Sequence, residues 1–410
     1  MYVGKKRFLH KNGSELQRVA LLQNYKYSQH ETVRECWELW FCNSGCQGMV
    51  GVVVLQQLEI RFCFSTMELL GVLEPEDVPK ESMWYAFAPG GESPSPRVGH
   101  TCLYVSDAQG KGKVVIVGGA DPGSCFSDAH IINLDTYEWN NPDWKDLLAR
   151  YEHACFTSSS DPTRIWVFGG AEQAENRNSI QVINPENCSW KKLTVEGSCP
   201  SPRTFHTSSS AIGDKFFVFG GGEKGAEPVA DNKLHVFDTT SLTWTQPVTS
   251  GDPPKPRHGH IITAVGTKLF IHGGMAGSSF FTDMFYIDTD TMKWVQVKTK
   301  GDLPPACAAH SAVSWKKFIY IFGGVTETGP LSTMYRFDTE EQIWAKMKFD
   351  SPSPLPRLDH SMCVVPWKIR TDTSAEDHDL GEAIPICLIF GGMDTSGELF
   401  NDCYVTALQE

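Results

Sequence analysis

Six histidines recur along the chain, at positions 100, 153, 206, 260, 310 and 360. Five of them follow an arginine by three residues (Arg97, Arg150, Arg203, Arg257 and Arg357), and Cys307 holds that place in the fifth repeat. Imidazoles can gather on a metal ion, and guanidinium groups can grip a carboxylate or phosphate. A single histidine every fifty residues, however, spreads the rings over separate repeat units instead of converging them on one point. Hydrogen bonding of strand to loop backbone is the simpler role for them. For the arginines, both structural bonding and ligand contact remain open. Gly220-x-Gly222-x-x-Gly225 matches a dinucleotide fingerprint in form, yet Pro228 follows where a helix would have to start. The chain has no Gly-x-Ser-x-Gly, no His-Glu-x-x-His and no Gly-x-x-x-x-Gly-Lys-Ser/Thr. No catalytic residue, cofactor or metal is expected.

The elements that would position these residues are legible from a second marker. Six apolar runs each end in a glycine pair, at 118–119, 169–170, 220–221, 273–274, 323–324 and 391–392, with spacings of 51, 51, 53, 50 and 68. A third marker is Trp139, Trp190, Trp244, Trp294 and Trp344, three of them six residues after the Asp of an Asp-Thr pair. Each period reads as four short antiparallel strands rich in Val, Ile, Phe, Tyr and Trp. One such sheet cannot bury both faces, whereas six set radially can. The prediction is an all-β, six-bladed propeller.

The last repeat stops without a tryptophan strand. Trp84 lies 16 residues before His100, as Trp190, Trp244, Trp294 and Trp344 each lie 16 before the histidine that follows them. The strand at Trp84 should therefore be the outer strand of the last blade, closing the ring. Residues 80–410 form the propeller on this reading, 67–79 a linker, and 1–66 a poorly ordered or spurious extension with Met67 as the working start. The stretch 367–385, with Asp372, Glu376, Asp377, Asp379 and Glu382, reads as a solvated acidic loop between the first two strands of the sixth blade.

Charge and composition narrow the partners. The net charge is −13, divided as +3 over residues 1–66 and −16 over the rest. That disfavours nucleic acid and direct binding to anionic lipid. Thirteen cysteines without a Cys-x-x-Cys pair suit free thiols in a reducing compartment. A binding function would then reside in the loops after each glycine pair, carried on a rigid scaffold. Phe126, Arg177, Lys224, Phe280, Phe281 and Leu399 are its candidate partner-binding residues, although the aromatics could equally begin the third strands. The six tryptophans are structural candidates.

Arg-x-x-His, Phe-Gly-Gly, Asp-Thr and Trp at this period resemble kelch repeats over about residues 80–410. Arg150-Tyr151-Glu152-His153-Ala154, Arg164-Ile165-Trp166-Val167-Phe168-Gly169-Gly170 and Arg357-Leu358-Asp359-His360-Ser361-Met362-Cys363 further resemble the family of Rab-nine effector proteins with kelch motifs. That resemblance implies a non-enzymatic, cytoplasmic effector of a GTP-loaded late-endosomal Rab GTPase. It would promote transport from endosome to trans-Golgi network, peripheral on the endosome membrane through its partners. A phosphoinositide kinase is a further partner the resemblance implies. The alternative is a substrate receptor of a cullin-type ubiquitin ligase, which needs an adaptor-binding segment that the sequence does not display.

Overall fold

The computed structural model describes residues 50–55, 58–63, 70–106, 112–172, 175–204, 211–224, 227–369 and 383–409. Within them the chain forms six large sheets, each with a four-stranded antiparallel meander, besides five two-stranded hairpins, and no helix. Blade one runs outward from Thr101–Ser106 through Gly112–Val117 and Ala129–Asn133 to Glu138–Asn140. Blades two to five begin at Ala154–Phe156, Ala211–Ile212, Ile261–Val265 and Ser311–Trp315. They end at Ser189–Lys192, Thr243–Thr245, Lys293–Val297 and Ile343–Lys346. The innermost strands of blades one and two, four and five, five and six, and six and one pack side by side around the axis.

The apolar runs before the glycine pairs are the second strands. They have neighbouring blades on both faces, so they are apolar without alternation. Phe318–Phe322 is buried at all five positions, and Val114, Val115 and Ile116 are fully enclosed. The Asp-Thr marker is the turn into the outer strand. Asp238 Oδ1, for example, accepts the Thr240 and Ser241 amides at 2.9 and 3.1 Å, and Leu242 beyond it takes a positive φ of 55°. Carboxylates suit such turns because they satisfy amides that the sheet leaves over.

Blade six closes as expected. Ser361–Trp367, Ile384–Met393 and Leu399–Ala407 come from the C-terminal part of the chain, and Trp84–Ala86 adds as the fourth strand, antiparallel, with Trp84 opposite Thr406. The tryptophans are wedges between blades. Trp84 lies 5.4 Å from Phe322 of blade five, Trp244 4.9 Å from Phe168 of blade two, and Trp139 5.7 Å from Phe390 of blade six, ring centre to ring centre. Trp294 and Trp344 repeat the contact on Phe219 and His272. Trp190 is half-buried, and its indole N–H donates to the Lys145 carbonyl at 2.7 Å.

One feature is absent from the sequence reading. Most blades have the outer edge covered by a short parallel segment of incoming chain: Glu196–Gly197 on blade three, Lys300–Gly301 on blade five and Gly71–Val72 on blade six. Such cover blunts edges that would otherwise pair with another chain. The stretch expected as a linker thus takes part in blade six from residue 71. Leu73 is buried with Phe87 and Trp367, and the Trp367 indole donates to the Asp77 carbonyl at 3.0 Å. The supposed extension contains an antiparallel hairpin, Val50–Leu55 with Leu58–Cys63, and its first 49 residues lie outside those described. The acidic residues at 372–382 lie outside them too, but Trp367 faces Ile384 across the strands that flank them.

A chain starting at residue 70 should melt like the full chain, whereas one starting at residue 88 should lose its cooperative transition. In the longer chain, Trp84→Ala should cost about 3–5 kcal/mol for a large enclosed ring. Calorimetry checks all three, and an unchanged transition on starting at 88 contradicts the closure.

Candidate functional site

Each glycine pair leads into a small hairpin on one face of the ring. Ala171–Glu172 with Glu175–Asn176 and Met275–Ala276 with Ser279–Phe280 are two of them. Every hairpin is bridged to the start of its own inner strand, as Tyr151 to Ala171 and His258 to Met275. Adjacent hairpins also touch. Asn176 Nδ2 donates to the Glu223 carbonyl at 2.7 Å, joining the Arg177 and Lys224 segments of blades two and three.

Below these hairpins lie the five repeat arginines, all at most 1% exposed. Nη1 of Arg97, Arg150, Arg203, Arg257 and Arg357 donates to the first glycine carbonyl of the same repeat at 2.8–2.9 Å. The second glycine amide then donates to the backbone carbonyl at the arginine position of the next repeat. Gly119 reaches Arg150, Gly274 reaches Cys307, and Gly392 reaches Arg97, at 2.9, 2.9 and 3.0 Å. Glycine is needed here. A Cβ on Gly118 would lie 2.5 Å from the Arg150 carbonyl oxygen, and the residue sits at φ 57°. The arginines are therefore structural. The histidines stitch blades as well: His100 and His260 donate from Nε2 to the carbonyls of Phe390 and Phe219 in the preceding blades, at 3.1 and 3.0 Å. Burial pushes His100 and His272 down to about 3, so both rings are neutral. His206 lies outside the described residues.

Sequence reasoning missed the acids that serve these arginines. Arg97, Arg257 and Arg357 make bidentate pairs with Asp128, Asp283 and Asp402, with shorter arms of 2.6, 2.5 and 2.7 Å. Arg203 meets Asp231 at 3.5 Å. Hydrogen bonds from His130 and Arg97 hold Asp128 at about 2 against its burial. A signal existed, since an aspartate follows the second glycine by nine or ten residues in these four repeats. The fifth repeat loses both members, having Cys307 and Thr333. The second keeps Arg150 but has Ser179. There burial and the nearby Arg177 bring Arg150 down to about 10.

The candidate partner-binding residues are spread over this face, not gathered at one point. Phe126 and Phe281 cover guanidinium groups, lying 4.3 Å from Arg97 and 4.2 Å from Arg257. They hold the arginines in place and expose only part of each ring. Arg177 occupies the corresponding position in blade two and pairs with Glu172. Phe280 and Leu399 are half-exposed, cross-paired with Met275 and Met393. Lys224 closes a hairpin strand opposite Glu227, in the segment where a dinucleotide fold would need a helix.

The axis holds a cavity of about 290 Å³, lined by inner-strand residues including Thr101, Cys102, Cys155, Ser311 and Cys363. Cys102 and Cys363, from the first and last blades, meet at 3.2 Å between sulfurs. Burial raises the Cys155 thiol to about 12 and pushes Cys102 well above its ordinary value too, which leaves them unreactive. Among the described residues, no three His, Cys, Asp or Glu side chains come together as a metal site, and no helix is long and apolar enough to cross a membrane.

Removing one acid should separate the blades energetically. Asp402→Ala strands a buried guanidinium and should cost about 3 kcal/mol. Ser179→Ala, at the corresponding position of blade two, should change stability by less than about 0.5 kcal/mol, because its hydroxyl has no partner to lose. Urea midpoints at constant slope read both; equal losses contradict the assignment.

The family described as KLHDC2/KLHL20/DRC7 Kelch-repeats domain matches residues 108–324 and 222–371. A Xenopus laevis protein named Rab9 effector protein with kelch motifs is 66% identical over 366 residues, covering 84% of this chain and all of the relative. Proteins of the same name from Homo sapiens and Mus musculus are 58% and 52% identical over 372 residues, covering 83% of this chain and 100% and 98% of theirs. With its repeat stitch, its ring closure and a match spanning almost all of these relatives, the chain belongs to the kelch-repeat family of Rab9 effector proteins with kelch motifs.

Proposed function

We propose that this protein is a Rab effector, a non-enzymatic propeller that recognises the GTP-loaded form of a late-endosomal Rab GTPase. The observation that carries the reading is 66% identity along the whole length of a relative named as a Rab9 effector. The physical frame agrees with it. Arginines, histidines and tryptophans are consumed in holding the blades, so recognition falls to the hairpins above them. A rigid face of this kind suits a partner whose own switch segments change with nucleotide state.

On this reading the protein works in the cytoplasm, promotes transport from endosome to trans-Golgi network, and reaches the membrane peripherally through its partner. The negative charge of the propeller supports attachment by protein over direct contact with anionic lipid. A phosphoinositide kinase as second partner rests on the family resemblance alone. The hairpin face, with Arg177, Lys224, Phe280 and Leu399, is the docking surface in this proposal.

Pull-down with Rab9 loaded with GTP or GDP tests it. Retention of the GTP form alone is expected, and Lys224→Glu or Leu399→Asp should weaken it about fivefold or more while leaving the melting temperature unchanged. Equal or absent retention of both forms contradicts the effector reading.

A further inference from the structure

Blade two keeps a buried arginine and omits its acid. In the other four arginine-bearing repeats, Asp128, Asp231, Asp283 or Asp402 stands beside the guanidinium, and these acids remain 18–36% exposed. The acid's place is thus open to solvent from the hairpin side. Arg150 is 1% exposed and donates Nη1 to the Gly169 carbonyl at 2.9 Å, but Nε and Nη2 have no partner among the described residues. Ser179, at the acid's position, has a buried hydroxyl that is also unpartnered. A buried guanidinium without an acid is unfavourable by itself. The fifth repeat avoids that cost by dropping arginine and acid together, as Cys307 and Thr333.

A second cation reinforces the imbalance. Arg177 stands where Phe126 and Phe281 cover their arginines; its Nη2 pairs with Glu172, and its Nε is unpartnered. A cavity of about 570 Å³ opens at this point, with Asn176, Arg177, Ser179 and Lys192 in its wall.

The geometry points to a carboxylate-binding site in blade two, where a carboxylate from outside the chain fills the place that aspartate fills in four other repeats. Arg150 Nη1 and Nη2, the edge that aspartate grips in blades one, four and six, supply its donors, together with Ser179 Oγ and Arg177 Nε on the cavity wall. Arg–carboxylate pairing is favoured by the planar fork of donors. Glu172 and Glu175 stand close by, so a singly charged group is preferred over a phosphate dianion. The ligand is a small free monocarboxylate or one acidic side chain of a polypeptide. This site does not depend on the Rab reading and stands or falls apart from it.

Thermal melting of the full chain at constant pH and ionic strength tests the site. Sodium acetate and the blocked tripeptide acetyl-Ala-Glu-Ala-amide serve as probes, against sodium chloride. Either carboxylate should raise the wild-type midpoint by about 2 °C in a saturable way. Ser179→Asp supplies the acid internally; it should melt higher in chloride and no longer respond to either probe. The double variant Arg150→Cys with Ser179→Thr, which copies blade five, should fold and be equally unresponsive. Response to acetate alone identifies a small-molecule source, and response to the tripeptide a polypeptide one. No response beyond chloride, an equal response in all three proteins, or a lower midpoint for Ser179→Asp overturns the proposal.

Discussion

The structure depends on one backbone contact repeated around the ring. The amide of the second glycine in each pair donates to the carbonyl at the arginine position of the next repeat, at 2.8–3.1 Å in all six junctions. The sixth junction, from Gly392 to Arg97, joins residues almost three hundred positions apart and closes the circle. So close an approach excludes side chains at the glycines, which explains why the pairs are the most regular feature of the sequence. Everything else at the junction serves this contact. The arginine grips the first glycine carbonyl, an aspartate balances the arginine, an aromatic side chain covers it, and a histidine bonds across to the preceding blade.

This arrangement explains why residues that look chemically capable are not. A buried arginine bonded to a carbonyl and a carboxylate cannot bind a partner. An imidazole that donates to a neighbouring backbone carbonyl and is held neutral by burial cannot easily act as an acid or gather on a metal. Thiols deep among apolar strands stay protonated. Function is displaced to the hairpins, whose backbone is pinned to the ring while their side chains differ from blade to blade. Departures from the repeat are therefore informative. Blade five loses an arginine and its acid together, which is self-consistent. Blade two loses only the acid, which leaves an electrostatic deficit within the fold.

Much of the fold was legible because propeller geometry writes itself into spacing. Equal offsets from Trp84 and the later tryptophans to their following histidines identified the closing strand, and the apolar runs before Gly-Gly identified strands covered on both faces. Two things were hidden. The parallel edge segments are two residues long and carry no periodic pattern, so Gly71–Val72 read as a linker although Leu73 beside it is buried. The candidate site was legible only as a face. Phe126 and Phe281 looked free because sequence cannot show that a ring lies over a guanidinium. The aspartates opposite the arginines could have been found by aligning the repeats on Gly-Gly, since their loss coincides with that of the arginine at Cys307 and Thr333.

Six equivalent junctions hold the ring as one cooperative unit. Native-state hydrogen exchange of Gly119, Gly170, Gly221, Gly274, Gly324 and Gly392 amides tests it most directly. All six should exchange in the slowest class and respond alike to added denaturant, through a single global opening. Faster exchange at Gly392, or protection that divides blade by blade, would contradict it.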